Sequence, residues 1–203
     1  MVNTTDLTIE DMLAALKAQA IHGRMHLDIA KGLIAAKSDI ASIAPIFFEM
    51  TLEAHLQAAQ MYSAKLHDKK SKPVKVDSLV RKAARSEASF PFAAPQEVRR
   101  TIEIACQMVD DLKPHLEAVQ TRRNEYLAHL APSTVIDIAS LNARAALTID
   151  DLDFVLVQTT NILNLFSQML DGTVSIPTLP GNDDYKVILK LAAKFSPNSR
   201  EAE

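Results

Sequence analysis

The sequence predicts an all-α fold: an up-and-down helical bundle of four main helices with one or two short helices besides. Three observations carry this expectation. Glycine occurs only four times in 203 residues and aromatics make up 5 %, while apolar residues reach 48 %, a balance that suits helices better than sheets. Apolar residues recur at alternating spacings of three and four, the mark of one buried helical face. Helix start and stop signals (capping threonines, prolines, a late glycine) fall between those stretches. One domain over residues 1–203 is the natural reading for this length, with about 172–203 forming a C-terminal arm and terminal helix.

A first helix starts at Thr8, whose hydroxyl can cap the amide of Asp11, and runs to about Lys37. Ser38-Asp39 is a fresh start signal. The second helix then places Ile40, Ile43, Phe47, Met50, Ala54 and Met61 on one stripe, widened by Leu52, Leu56 and Leu66; Pro45 is tolerable in its first turns and moves the start toward Ala44. Asp77 can cap a short helix reaching about Ala88, and residues 90–95, with two prolines, form a connector. The long fourth helix opens at Pro95-Gln96-Glu97, and Pro114 should kink or break it near Asp110 to Lys113. A short helix is expected from Ile136 to Ala146. The last long helix begins at Thr148, carries Leu152, Leu156, Leu163, Phe166 and Leu170 on one face, and closes at Gly172. Residues 175–181 form an extended arm, and Asp183 to Phe195 a terminal helix. The similar runs LTIEDML and LTIDDLD recur as helix starts, not as a repeat unit.

Composition excludes several classes of function. Every apolar stretch is interrupted well before 18 residues, which argues against a membrane span, and the first six residues lack the pattern of a signal peptide. The single cysteine, Cys106, cannot form an internal disulfide, so the chain reads as cytoplasmic; beside an apolar stripe, Cys106 is expected to be a small core filler. There is no glycine-rich phosphate loop, no serine-nucleophile signature and no cysteine-rich zinc spacing, so no cofactor or metal is expected. His22 and His26, four apart, have no carboxylate at a recognised metal-binding spacing. His55, His67 and His115 read as isolated surface or helix-end residues. The net charge of −3 hides an asymmetry: between Lys65 and Arg85 stand eight basic residues, Lys69, Lys70 and Lys72 among them, against Asp68 and Asp77. Such a run can follow a phosphate backbone, or simply be a solvated loop.

The most informative stretch is Arg123-Asn124-Glu125-Tyr126-Leu127-Ala128-His129. Upstream, Val98, Ile102, Ala105, Val109, Leu112, Leu116 and Val119 define a buried stripe whose next members are Arg123, Tyr126 and Leu130. A guanidinium on a stripe meant for burial is costly unless it is paired or opens onto a pocket. Pro132 should stop the helix near Ala131, which puts His129 in its last turn, where the helix dipole favours the protonated imidazole. A permanent cation beside a group that titrates near neutrality suits phosphate chemistry. In an undistorted helix, however, six residues rotate ~600°, about 120° short of two turns, so Arg123 and His129 of one helix do not converge on one atom. Two copies related by a two-fold axis would bring both pairs into one cleft. Alternatively, Arg123 snorkels to a carboxylate and His129 caps carbonyls.

An arginine, a polar residue and a histidine in this order, late in an all-helical chain, resemble the signature of the HEPN superfamily (higher eukaryotes and prokaryotes nucleotide-binding). The segments RRNEYLAHL, LTIDDLDFVL and FFEMTLEAHLQAAQMYSAKLHDK are similar to its AbiU-type abortive-infection branch, over roughly Ile40 to Leu170. The resemblance implies a HEPN-like bundle that cleaves RNA without metal, within a toxin or phage-defence system. It implies a homodimer with the motif at the interface, and an antitoxin partner such as a nucleotidyltransferase-like protein. In that reading His129 is the acid or base, Arg123 stabilises the phosphate, and Asn124 holds the imidazole or contacts phosphate. Arg122, Tyr126, Lys69, Lys70 and Lys72 bind substrate. The alternative is a catalytically inactive helical module that binds RNA, nucleotide or a protein partner.

Overall fold

Two of the four long helices begin with the same device. Thr8 and Thr148 each accept from the backbone amide three residues on (Asp11 N 3.1 Å, Asp151 N 3.0 Å), while those aspartates accept from the threonine amides. Each pair forms a reciprocal capping box that satisfies two otherwise orphaned donors. The two similar LTI runs are therefore helix starts, as the sequence suggests. The computed structural model describes residues 7–40, 43–68, 74–127, 138–174 and 184–194. Within them lie α1 (Ile9–Ala35), α2 (Lys37–Ile40), α3 (Pro45–Leu66), α4 (Val76–Arg85), α5 (Pro95–Arg122), α6 (Ile138–Arg144), α7 (Ile149–Asp171) and α8 (Asp184–Lys194). A 3-10 turn covers Glu87–Ser89, and a π-helical turn, Arg123–Leu127, continues α5. Among the described residues there is no strand, and no helix is long and apolar enough to cross a membrane.

The bundle is all-α, with α1, α3, α5 and α7 as its long members. The most extensive contacts join α1 to α3, α1 to α7 and α5 to α7. The ring pairs His22–Tyr62 and His26–His55 show that α1 and α3 run antiparallel, because rising numbers on one meet falling numbers on the other. The core is mostly aliphatic, with Leu16, Leu27, Leu79, Leu112 and Leu156 fully buried beside Phe166. On α5 the expected stripe is buried nearly as drawn: Val98, Ile102, Ala105, Leu112, Leu116 and Val119. Phe90 of the two-proline connector packs on Phe166 (6.2 Å between rings), and the Phe92 amide donates to the Met169 carbonyl at 3.1 Å. Gly172 ends α7 at φ 73°, a left-handed cap that glycine adopts without a Cβ penalty.

Several expectations need correction. The stripe drawn through Phe47 and Met50 faces outward: Ile46, Phe47 and Met50 are 72, 62 and 66 % exposed. Pro45 restarts the helix with Ala44 as its cap, so Ile40 belongs to α2, and the buried face of α3 is formed by Ala59, Ser63, Ala64 and Leu66. Asp77 lies in the first turn of α4 instead of capping it; Lys75 holds the cap position. Pro114 does not break α5, which is continuous from Pro95 to Arg122. Both Pro114 and the Asp110 that it leaves without a donor are exposed, so water can serve the orphaned carbonyl while Leu112 and Leu116 hold the helix to the core. Cys106 is exposed, because it lies ~100° round the helix from the buried Ala105. The arm at residues 175–181 lies outside the described residues.

Candidate functional site

The site forms where the end of α5 meets the end of α3. Gln120, buried, donates from its amide to the carbonyls of Ala64 (3.0 Å) and His67 (3.4 Å), which satisfies groups that the end of α3 would otherwise leave open. One turn later Arg123 occupies the next position of the buried stripe. Its Nη2 stands 3.5 Å from Asp68 Oδ2, with side-chain exposures of 18 % for the arginine and 4 % for the aspartate. Its Nη1 donates to Asn124 Oδ1 at 3.2 Å. The Nε of Arg123 is buried without an acceptor among the described residues. The out-of-pattern cation of the sequence is thus a paired, mostly covered one.

Asp68 is held in place by its neighbour. His67 caps α3, is buried, and places Nε2 2.7 Å from Thr159 Oγ1. The Thr159 hydroxyl has one proton, and gives it to the Val155 carbonyl at 2.7 Å. It therefore accepts from His67, which fixes the neutral imidazole with its hydrogen on Nε2. Burial pushes the His67 pKa down to about 4, against a smaller upward pull from the Asp77 charge. His67 stays neutral at physiological pH, and the influence of Asp77 shows that the start of α4 lies beside this corner.

Helix α6 forms the opposite wall. Arg122 donates to Asn142 Oδ1 (2.9 Å) and to the Ala145 carbonyl (3.3 Å), and its Nε is buried without an acceptor. Both of these partners are neutral, and among the described residues Arg122 has no carboxylate in an ion pair. Arg144 grips Glu125 of the π turn through both guanidinium nitrogens, a bond that holds its pKa above the ordinary value. The π turn is thus fastened from two sides, by α3 and by α6. Its i→i+5 bonding spreads the turn over an additional residue. π turns of this kind are frequent at functional sites.

Of the residues expected to form the site, the structure brings Arg122, Arg123 and Asn124 together at one helix end, with Tyr126 in the same π turn. His129, Lys69, Lys70 and Lys72 lie outside the described residues. Sequence reasoning missed Asp68, His67, Thr159 and Gln120. Their signal was polarity at positions phased for burial: Gln120 beside Val119, and Thr159 between Leu156 and Leu163. The remaining histidines are also not isolated: His26 and His55 approach at 2.8 Å between Nδ1 atoms, and His115 binds Asp151 at 2.9 Å. Among the described residues no group of three or more His, Cys, Asp or Glu is arranged to hold a metal ion.

A family model described as AbiU2, of the HEPN group, matches residues 6–191. No curated protein and no solved structure matches the chain.

Proposed function

Because the chain belongs to the AbiU2 family of HEPN domains, we propose that it is a metal-independent endoribonuclease of a phage-defence or toxin system. The observation that carries this reading is Arg123 on its π turn, held by Asp68 at 3.5 Å and leading by six residues to His129. A guanidinium has five N–H donors; Asp68 and Asn124 engage two, which leaves others for a phosphate and fixes the plane in which they point. The 2′-hydroxyl of the substrate attacks the neighbouring phosphorus, the P–O5′ bond breaks, and the products carry a 2′,3′-cyclic phosphate and a 5′-hydroxyl. His129 takes the hydroxyl proton or gives one to the leaving oxygen. Arg123 stabilises the charge that develops on the phosphorane oxygens. Arg122, whose partners among the described residues are neutral, draws the phosphate in, with Tyr126, Lys69, Lys70 and Lys72 lining its approach. A homodimer that joins two copies at this motif supplies the second acid or base, and a nucleotidyltransferase-like antitoxin restrains the enzyme in the cytoplasm.

The test is cleavage of single-stranded RNA by the purified full chain in EDTA, with mass spectrometry of the ends. The expected outcome is cyclic-phosphate termini, lost by at least about 100-fold in His129→Ala and in Arg123→Ala while circular dichroism is unchanged. Cleavage that persists in His129→Ala sinks the mechanism. A second reading, a catalytically silent module that binds RNA, nucleotide or a protein partner, is favoured by the coverage of the Arg123–Asp68 pair. In that case Arg123→Ala lowers the melting temperature, and no preparation cuts RNA.

A further inference from the structure

Helix α4 is strongly two-faced. Val76, Leu79, Val80 and Ala83 are buried, while Ser78, Arg81, Lys82 and Arg85 fall on an arc of ~100° on the other side. That arc forms one wall of a cavity of about 470 Å³, closed on the other side by Leu7 and Met12 at the start of α1 and completed by Ser86. Two of the acids nearby are paired with arginines: Asp77 with Arg81 (3.0 Å) and Glu87 with Arg99 (3.0 Å), while Asp11 is turned to the neutral Thr8 cap. Lys82 and Arg85 have no acidic partner among the described residues. The cavity therefore offers two uncompensated cations, a third that can be recruited from Asp77, two serine hydroxyls and an apolar floor.

We propose that this cavity is a seat for the phosphate backbone of single-stranded RNA, outside the cleavage site. The last turn of α4 leads through Ser86 to Glu87, which pairs with Arg99 in the first turns of α5, so the cavity lies toward the opposite end of that helix from Arg123. Arg99 precedes Arg123 by 24 residues of continuous helix, ~36 Å, so a strand of about ten nucleotides reaches both places and a mononucleotide does not. Among the described residues the cavity has no aromatic wall for base stacking, so recognition rests on phosphates and is tolerant of sequence. The identity of the occupant as RNA rests on the nuclease reading; the cationic seat stands on its own geometry.

The experiment is fluorescence anisotropy of the full chain with a labelled 2′-O-methyl RNA oligonucleotide, which cannot be cut, at 50 to 200 mM salt. Lys82→Ala/Arg85→Ala is expected to weaken binding about tenfold or more. It should also flatten the dependence of log affinity on log salt by roughly 0.7 per lost contact. Lys113→Ala, which removes an exposed charge from α5, should change neither. Unchanged affinity and slope in the double variant overturn the proposal, as does an equal loss from Lys113→Ala. Binding of anionic phosphatidylserine vesicles that requires Lys82 and Arg85, with no RNA binding, overturns it too. If the double variant loses binding and native RNA is never cleaved, only the nuclease reading fails. If native RNA is cleaved with unchanged KM by the double variant, only the seat fails.

Discussion

His67 shows how one side chain sets both the site and its response to acid. Its Nε2–H is committed to Thr159 and its carbonyl to Gln120, so Asp68 emerges from a fixed point toward Arg123. The imidazole is neutral in the native protein down to about pH 4, against an ordinary value of 6.5. Above pH 6.5 folded and unfolded chains bind the same number of protons there, and stability does not depend on this group. Below it the unfolded chain takes up a proton that the native one refuses, so stability falls as pH drops from about 6.5 to 4 and then levels off. A displacement of this size corresponds to about 3 kcal/mol. His26 and His55 add in the same direction, since burial lowers both. Urea midpoints between pH 7.5 and 4.5 should therefore decline, and His67→Gln should flatten the decline even though it costs stability at pH 7.5. An unchanged pH slope in His67→Gln would show that the proton is refused elsewhere.

At the scale of helices, the parts governed by local chemistry were legible and the parts governed by distant contacts were not. The stripe of α5, the caps Thr8 and Thr148, and Gly172 each depend on residues within one or two turns, so spacing alone revealed them. The face of α3 was misread because Pro45 resets the phase of an apolar pattern that is continuous in sequence. The π turn has no local signature. Glu125 is fastened by Arg144, 19 positions away, and the corner below it by Gln120 reaching back 53 and 56 positions and His67 reaching forward 92. Arg123 was singled out by its misplaced charge, but its partner Asp68 sat inside a basic run that reads as a solvated loop. The uninterrupted α5 carries its own prediction. Pro114 removes one helical bond and crowds the preceding turn while burying nothing, as it is exposed. Pro114→Ala should therefore raise stability by about 1 to 2 kcal/mol, after subtracting the ~0.5–1 kcal/mol that proline gains by stiffening the unfolded chain. Chemical denaturation measures it, and a lowered midpoint would mean that the proline ring is packed after all.

Across the whole molecule, the bundle and the terminal helix are held to α1 by opposite faces of that helix, and two glycines mark the contacts. A Cβ on Gly23 would stand 2.9 Å from Leu156 Cδ2 and 3.1 Å from Tyr62 Cβ, so it would press at once on α7 and on the root of a side chain of α3. A Cβ on Gly32 would overlap the Tyr185 ring of α8. Nine residues apart, the two positions differ by ~180° around the helix, which places α8 on the outside of α1, away from the core. Alanine at either position gains about 1 kcal/mol of helix propensity. At Gly23 that gain is set against overpacking between three long helices, where neither backbone can retreat without disturbing the ion pairs of Asp153 with Arg24 and Lys31. Gly23→Ala is therefore expected to lower Tm by several degrees, consistent with a net loss of about 1 to 2 kcal/mol. At Gly32 only α8 has to move, and its outer side already exposes Val187, Ile188 and Leu191. Gly32→Ala should leave the melting temperature of the bundle unchanged or higher while hydrogen exchange in α8 accelerates. If Gly32→Ala lowers Tm as much as Gly23→Ala does, α8 is part of the cooperative core, and the bundle does not end at α7.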